Sequence, residues 1–264
     1  MDTLADTLAD GFNIARRNVI KIRRVPQTLV AVLVSPLLMV VMFNYIFGSS
    51  IEIPGDSYDG FLISGAFAMI LVFGSTFTGA GLADDMQKGI IDRFRSLPMS
   101  RSAVIVGRTV TDVIYNLLSL IVMALAGLAV GWRINGGLGD AVLAFVLLLA
   151  FAYAFSWIMA YVGLVVPSAE VVNNAATMVI FPLTFMSNAF VPAENLVTPL
   201  RIFAQWNPIS AVTQASRELF GNVPAGAGEP AAWPLQHPVA YTLLWTVLII
   251  AIFGPLSIRR FSRS

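Results

Sequence analysis

Six apolar runs, each long enough to cross the hydrocarbon core of a bilayer, dominate this sequence. A helix needs about 20 residues to cross that core, which is about 30 Å thick. The runs cover residues 27–48, 61–83, 103–130, 140–166, 173–191 and 239–258. In lipid, only helices and closed barrels satisfy the backbone polar groups internally. The pattern therefore predicts an all-α integral membrane protein with six transmembrane helices.

The composition agrees with this fold class and narrows the function. Hydrophobic residues make up 57% of the chain and charged residues 12%, against about 25% charged residues in soluble domains. The absence of cysteine excludes disulfides, thiolate metal sites and cysteine nucleophiles. The sequence contains no G-x-x-x-x-G-K-[ST], H-E-x-x-H or G-x-S-x-G motif. We expect a chain that is not an enzyme, with no catalytic residue, no metal site and no cofactor of its own.

The distribution of basic residues indicates the orientation. Thirteen of the sixteen Lys and Arg residues lie in the leader, in residues 84–108 or in the tail; the other three are Arg133, Arg201 and Arg217. An even number of spans puts both termini on one side, and the positive-inside rule makes that side the cytoplasm. We therefore expect a multi-pass protein of the cell membrane. The net charge of +1 gives no indication of a nucleic-acid partner.

Residues 1–26 predict an amphipathic helix on the cytoplasmic membrane surface. Leu4, Leu8 and Phe12 recur at helical spacing, while Arg17 and Lys21 line another face. A solvated basic leader is the alternative. In this division, residues 27–258 form the six-helix domain and residues 259–264 a cytoplasmic tail.

The loop between the second and third spans contains a charged and an apolar stripe. The stretch GIIDRFRSLPMSR occupies residues 89–101. Ile90, Phe94 and Leu97 share one helical face, Asp92, Arg93 and Arg95 take the others, and Pro98 ends the turn. A helix that docks into a groove of a partner protein requires such an apolar stripe. A helix lying back on the bilayer would show the same pattern, so both interpretations are open.

Residues 192–238 predict two further amphipathic helices on the outer side. The first carries an apolar stripe of Leu196, Leu200, Phe203 and Trp206. Asn is common at the N-cap of a helix and Pro at its first position, so Asn207 and Pro208 predict the start of the second helix. Arg217 and Glu218 are expected to be interfacial charges. The helices either dip into the outer leaflet or cap a cavity.

The fifth span is unusually polar for a membrane helix. Its polar residues are Asn173, Asn174, Thr177, Thr184, Ser187 and Asn188, and Pro182 is expected to bend it. Such residues avoid lipid, so they either join helices or line a pathway. The apolar residues Met178, Phe181, Phe185 and Met186, with Asn188, are candidates for the wall of a substrate pathway. Packed core is the alternative for them.

Three polar residues step by four along the inner part of the third span. They are Arg108, Asp112 and Asn116. We expect Arg108 and Asp112 to form an ion pair that eases entry into the bilayer. A proton relay is the alternative, although no further carboxylate continues a path.

Two stretches resemble a known family. GIIDRFRSLPMSR resembles the cytoplasmic loop of membrane subunits of type-2 ABC exporters, especially the daunorubicin and drug-resistance branch. In that branch a Glu-Arg-Leu-Arg-like core precedes a Pro-Leu-Ser-Arg-like end; here Asp92 takes the place of Glu, followed by Arg93, Phe94, Arg95, Pro98 and Arg101. The stretch FPLTFMSNAFVPAENLVTPLRIFAQWNPISAVTQASREL at 181–219 resembles the family's fifth span and re-entrant external helices. Asn188 departs from the small residue expected at its position.

The resemblance implies a permease subunit of an ATP-driven exporter. Its cargo would be a hydrophobic or amphipathic small molecule, such as a drug or antibiotic, or a lipid. The subunit would pair with a second permease copy, most simply as a homodimer among membrane lipids, and with two copies of a separate ATPase that binds ATP and Mg²⁺. The alternatives are export of a lipid-linked glycan, as in other branches of the superfamily, and a non-transporting membrane sensor or immunity protein.

The resemblance also implies roles for particular residues. Residues 87–97 would be the coupling helix, with Asp92, Arg93 and Arg95 meeting the ATPase and Ile90 and Phe94 packing beneath. Glu170 suits the first turn of a helix that Ser168 caps, and a second ATPase contact is the alternative. The external helices would close the outer mouth, which makes Phe203, Trp206, Asn207 and Arg217 candidate gate residues.

Overall fold

The structure is a computed structural model that describes residues 34, 37–42, 58–90, 101–223 and 230–263. Regular secondary structure in these ranges is helical, with no β-strand among them. The named helices are α1 (Tyr58–Gly74), α2 (Thr76–Gln87), α3 (Arg101–Val130), α4 (Leu138–Val165), α5 (Ala169–Phe185), a 3-10 turn (Ala193–Asn195), α6 (Thr198–Trp206), α7 (Pro208–Phe220), α8 (Trp233–Gln236) and α9 (Pro238–Arg263). The all-α fold class is confirmed for this part of the chain.

Within the described residues, four helical stretches are long and apolar enough to cross a membrane. They are Gly60–Gln87, Gly107–Val130, Leu138–Val165 and Pro238–Phe261. By position they are the second, third, fourth and sixth predicted spans. The first predicted span falls mainly outside the described residues, although 37–42 are helical. The predicted leader helix of residues 1–26 lies wholly outside them.

The helix of the fifth predicted span differs in its bounds. It runs from Ala169 to Phe185 rather than from 173 to 191. The early start has a local cause, because the Ser168 Oγ accepts a hydrogen bond from the Val171 N–H at 3.2 Å and so caps the helix. Beyond Phe185 the chain turns, and residues 186–189 are no longer helical. At 1.5 Å per residue this helix is about 26 Å long, slightly shorter than the hydrocarbon core.

The second span is two helices, α1 and α2, that meet at Ser75. The Ser75 hydroxyl donates to the carbonyl oxygens of Leu71 and of Ala152 in α4, each at 3.0 Å. Beyond this break α2 packs directly on α4: a Cβ on Gly163 would lie 2.3 Å from the Gly79 carbonyl oxygen. Only a glycine permits two helix backbones to approach so closely. This half of the span, called the inner half after the orientation that the basic residues predict, is therefore fixed to α4.

Helix α4 lies at the centre of the fold and packs against α9, α2, α3 and α7. An aromatic cluster occupies the outer end of the core. The rings of Trp132 and Phe220 meet edge to face with centroids 5.2 Å apart. The Phe67 ring packs against both of them, and the Phe145 ring packs against Phe67 and Phe220. Such ring pairs contribute beyond their buried area. They join α7, an outer helix, to the membrane spans.

Candidate transport and coupling sites

The candidate coupling segment begins at the inner end of α2. The helix stops at Gln87, and Gly89 has φ +65, a left-handed conformation that glycine adopts without strain. Ile90 follows as a helical, partly buried residue. The predicted ATPase contacts Asp92, Arg93, Phe94 and Arg95 lie outside the described residues, as does the rest of 91–100.

The start of this segment is attached to the loop before α5. The Gln87 Nε2 donates to the Pro167 carbonyl oxygen at 2.9 Å, a contact between residues 80 positions apart. Glu170 lies just beyond that loop, exposed in the first turn of α5. Lys88 pairs with Asp84 at 2.7 Å, and this hydrogen bond raises the pKa of Lys88. The inner end therefore brings two of the sequence-predicted contacts, Ile90 and Glu170, to the same side of the fold.

The predicted ion pair of Arg108 with Asp112 is wrong for this structure. The guanidinium of Arg108 turns toward α2, where it donates to the Phe77 carbonyl oxygen at 2.9 Å and lies 4.0 Å from the Asp85 carboxylate. Gly81 explains the direction, because a Cβ there would lie 1.5 Å from the Arg108 Nη2. Asp112 remains buried, and neither of its carboxylate oxygens accepts a hydrogen bond within the described residues.

One face of α5 is not covered by the other residues that the structure describes. Met178, Phe181 and Phe185 are 80%, 47% and 44% exposed. The Phe181 and Phe185 rings stack at 4.3 Å. Toward the inner end the uncovered residues include Val171 and the polar residues Asn173, Asn174 and Thr177. Uncovered amides within a membrane helix are costly in lipid, so this face suits a protein partner or a polar cavity.

The other two candidate wall residues lie elsewhere. Met186 is half-buried at the C-cap of α5. Asn188 is 4% exposed in the turn that follows, where its N–H donates to the Ser210 Oγ at 3.0 Å and its Nδ2 lies 3.5 Å from the Gln214 Oε1. Asn188 therefore joins the turn to α7 and does not share the uncovered face of α5.

Arg217 is not an interfacial charge, which corrects the expectation from the sequence. Its side chain is 1% exposed. The guanidinium donates to the carbonyl oxygens of Phe61, Asn188 and Ala189 at 3.1, 2.8 and 2.9 Å. It also lies over the Phe61 ring, with Cζ 3.4 Å from the centroid. Arg217 thus joins α7, the start of α1 and the turn after α5.

The predicted boundary between the two outer helices is confirmed. The Asn207 Oδ1 accepts a hydrogen bond from the Ile209 N–H at 2.9 Å, and Pro208 is the first residue of α7. The Asn207 Nδ2 also donates to the Leu183 carbonyl oxygen of α5 at 2.7 Å, so one side chain caps α7 and attaches it to α5.

The two outer helices have different surroundings. α7 is largely buried, whereas α6 leaves Phe203 and Trp206 41% and 55% exposed. The Tyr241 hydroxyl of α9 donates to the Trp206 carbonyl oxygen at 2.9 Å. The four candidate gate residues therefore divide into two buried ones, Asn207 and Arg217, and two on the surface of α6.

Asn222 makes structural contacts that the sequence did not predict. Its Oδ1 accepts from the Trp132 Nε1 at 3.1 Å, and its Nδ2 donates to the Arg133 carbonyl oxygen at 3.0 Å. Gly221 before it has φ +69 and ends α7. That helix-ending glycine is the sequence signal that could have drawn attention to Asn222.

No group of three or more metal-ligating side chains occurs among the residues described.

These features are typical of a membrane permease, and comparison with known proteins identifies its family. The ABC-2 type transporter family matches residues 12–220. The chain belongs to that family. The resemblance seen in the sequence is thereby confirmed, and the permease is a multi-pass membrane protein.

Individual relatives cover most of the permease. It is 31% identical over 243 residues to the daunorubicin resistance ABC transporter permease protein DrrB1 of Streptomyces coeruleorubidus, covering 92% of this chain and 82% of the relative. It is 23% identical over 233 residues to the probable doxorubicin resistance ABC transporter permease protein DrrC of Mycobacterium tuberculosis, covering 88% and 80%. A putative transport permease, ycf38 of Porphyra purpurea, is 24% identical over 213 residues, covering 79% and 73%.

Proposed function

We propose that this permease exports a hydrophobic or amphipathic small molecule, of the drug or antibiotic class, in a complex driven by a separate ATPase. The observation that carries the proposal is the similarity to the daunorubicin resistance permease, which extends over 92% of this chain. A second relative is named for resistance to doxorubicin. The chain contains no phosphate-loop motif, so ATP and Mg²⁺ would be bound by the partner subunit.

The proposed route of coupling starts at residues 87–97. In this proposal Asp92, Arg93 and Arg95 contact the ATPase, while Ile90 and Phe94 pack beneath them. The helix before this segment, α2, is held to α4 by the close approach of Gly79 and Gly163. Movement of the coupling helix would therefore move α2 and α4 together as a rigid body.

The second proposed contact with the ATPase is Glu170. It is exposed on the inner end of α5, close to the loop that Gln87 contacts through Pro167. A partner subunit that binds residues 87–97 would thus reach Glu170 by a small extension of the same interface. Both chain termini would lie on this cytoplasmic side, in agreement with the distribution of basic residues.

The uncovered face of α5 is proposed to line the transport pathway and to contact the second permease copy. A homodimer would place this face against its equivalent, so that Asn173, Asn174 and Thr177 avoid lipid. Met178 and Phe181, with the neighbouring Phe185, would then offer an adaptable apolar wall to the cargo. The support is the exposure of these side chains in the single chain.

The proposed outer gate consists of α6 and α7. Asn207 and Arg217 hold α7 to α5 and to α1, whereas Phe203 and Trp206 lie on the surface of α6. Release of cargo would require α6 to move relative to the better-anchored α7. This assignment is based on the re-entrant external helices of the family that the sequence resembles.

The proposal is tested by export from cells that produce the permease with its ATPase. Doxorubicin, the drug in the name of the mycobacterial relative, serves as the fluorescent cargo. We expect lower accumulation of the drug with the parent permease than with the Asp92→Ala, Arg93→Ala double variant. The ATPase should co-purify with the parent and be depleted from the double variant, because the two contacts with it are lost.

The matched control is an Asp140→Ala, Arg133→Ala variant. It removes one acid and one base from the opposite side and should keep both export and ATPase association. Unchanged association in the Asp92, Arg93 variant would contradict the coupling assignment. Resistance that survives inactivation of the ATPase would instead support a sensor or immunity protein, and export of a lipid-linked glycan without drug export would support the other branch.

A further inference from the structure

A buried carboxyl group lies between α2 and α3 and has no hydrogen-bond partner among the described residues. Asp112 occupies the middle of the polar stripe on α3, one helical turn from Arg108 and one from Asn116. Arg108 packs against Gly81 of α2, and Asn116 packs against Gly74, the last residue of α1. Because these two contacts bracket it, Asp112 faces the intervening stretch at the start of α2.

The surroundings of Asp112 leave its carboxyl group unsatisfied. The side chain is 2% exposed, and both oxygens are buried without a hydrogen-bond partner in the described part of the chain. Thr78, in the stretch that Asp112 faces, is fully buried and its Oγ1 is also without a partner. Two unsatisfied polar side chains on adjoining helices therefore mark a small polar site inside the membrane domain.

The nearby arginine does not neutralise this carboxyl. The guanidinium of Arg108 donates to the Phe77 carbonyl oxygen and lies 4.0 Å from the Asp85 carboxylate. No ion pair joins it to Asp112 in the described structure. An ionised carboxylate that is buried without hydrogen bonds costs several kcal/mol, whereas the protonated acid carries no charge.

We propose that Asp112 is a proton-binding site and holds a proton in this conformation. The ligand is a proton rather than a metal cation, because a metal ion needs several ligands and the described residues contain no group of three or more metal-ligating side chains. This inference does not depend on which molecule the permease exports. It assigns to Asp112 a role that neither coupling nor cargo binding supplies.

The ionisable residues around the site lie on α3 and on the helices that pack against it, which are α1, α2, α4 and α9. In the same half of the molecule, those whose side chains the structure describes are Asp84, Asp85, Lys88, Arg108, Tyr115, Tyr153, Tyr161, Arg259 and Arg260. Those of α1, Tyr58 and Asp59, lie at its opposite end. Of these residues, Arg108 is the charge that acts on Asp112.

The site makes the contact between α2 and α3 sensitive to protonation. While Asp112 is neutral, Arg108 remains with Asp85 of α2. When the Asp112 O–H bond breaks and the proton passes to water, the resulting carboxylate competes with Asp85 for the same guanidinium. Loss of the proton therefore weakens the attachment of α2, the helix that precedes the candidate coupling segment.

Infrared spectroscopy of the full chain in lipid nanodiscs at neutral pH tests the proposal. We expect the carbonyl stretching band of a protonated carboxyl group in the parent and its loss in Asp112→Asn. The control variant Asp84→Asn should retain the band, because Asp84 pairs with Lys88 and its replacement leaves Arg108 beside Asp85. A difference spectrum for Asp112→Asn that shows only carboxylate bands would overturn the proposal.

A stability measurement gives an independent result. Asparagine is a neutral residue of the same shape as protonated aspartic acid, so Asp112→Asn should melt at the temperature of the parent. A large fall in melting temperature, or failure of Asp112→Asn to fold while Asp84→Asn folds, would show that the negative charge of Asp112 is needed and would refute the assignment.

Discussion

Replacement of Arg217 by methionine tests the most heavily bonded side chain at the outer end of the permease. Methionine keeps a long, flexible apolar side chain but removes every donor. Three carbonyl oxygens, those of Phe61, Asn188 and Ala189, would lose their hydrogen bonds from the guanidinium. The change therefore separates the hydrogen bonding of Arg217 from the filling of space.

The size of the effect follows from the number of groups left unsatisfied. Phe61 lies within α1, where its carbonyl oxygen has a helical partner, whereas Asn188 and Ala189 lie in the turn after α5. A buried polar group without a partner costs about 1–3 kcal/mol, so the two turn carbonyls give about 2–6 kcal/mol. In a folded domain of this size, each kcal/mol changes the melting temperature by about 2–4 °C. We therefore expect Arg217→Met to melt at least about 4 °C below the parent. Arg217→Lys should fall between them, because lysine keeps the charge but not the planar fork of donors.

The assay is thermal unfolding of the purified permease in detergent, followed by the loss of the monodisperse species on size-exclusion chromatography. Arg201→Met is the matched control: it makes the same chemical change on α6, where the Arg201 Nη2 lies 3.4 Å from the exposed Thr198 hydroxyl. Such surface changes stay within about 0.5 kcal/mol. Equal melting temperatures for the Arg217→Met and Arg201→Met variants would refute the reasoning.

Two further pairs of variants test helix contacts by the same assay. Gly163→Ala should lower the melting temperature by the equivalent of about 1–3 kcal/mol, because its Cβ would lie 2.3 Å from the Gly79 carbonyl oxygen. Gly139→Ala in the same helix meets nothing within 4 Å, and an equal loss there would contradict the argument. Asn207→Ala should cost more than Ser168→Ala, since Asn207 also bonds to α5 whereas Ser168 supplies a cap worth about 1 kcal/mol; equal losses would show that the second bond contributes nothing.

Local sequence patterns predicted the parts of the fold that depend on neighbouring residues. The apolar runs identified the helices of four spans because hydrophobicity sustained over about 20 residues has few alternatives. The caps Ser168 and Asn207 were predicted because a cap needs only its own side chain and the next few N–H groups. The break at Ser75 was not predicted, because its partner is the Ala152 carbonyl oxygen, 77 residues away.

The positions of charged side chains could not be predicted in the same way. Arg108 was expected to pair with Asp112 because the two lie four residues apart on one helix. In the structure the absence of a side chain at Gly81 leaves space for the guanidinium on the neighbouring helix. That space depends on which helices adjoin, and helical periodicity carries no information about it. The same limit applies to Asn188, whose partners Ser210 and Gln214 lie on another helix.

The burial of Arg217 has a physical cause in the turn after α5. A chain that leaves a helix near the membrane exposes carbonyl oxygens that have no intrahelical partner, and lipid supplies no donor for them. Here Arg217 donates to two such oxygens, those of Asn188 and Ala189. A charged donor is strong enough to offset its own burial only when its hydrogen bonds are made. The arginine and the irregular turn therefore require each other, and for this reason an arginine that resembles an interfacial charge in the sequence is part of the core.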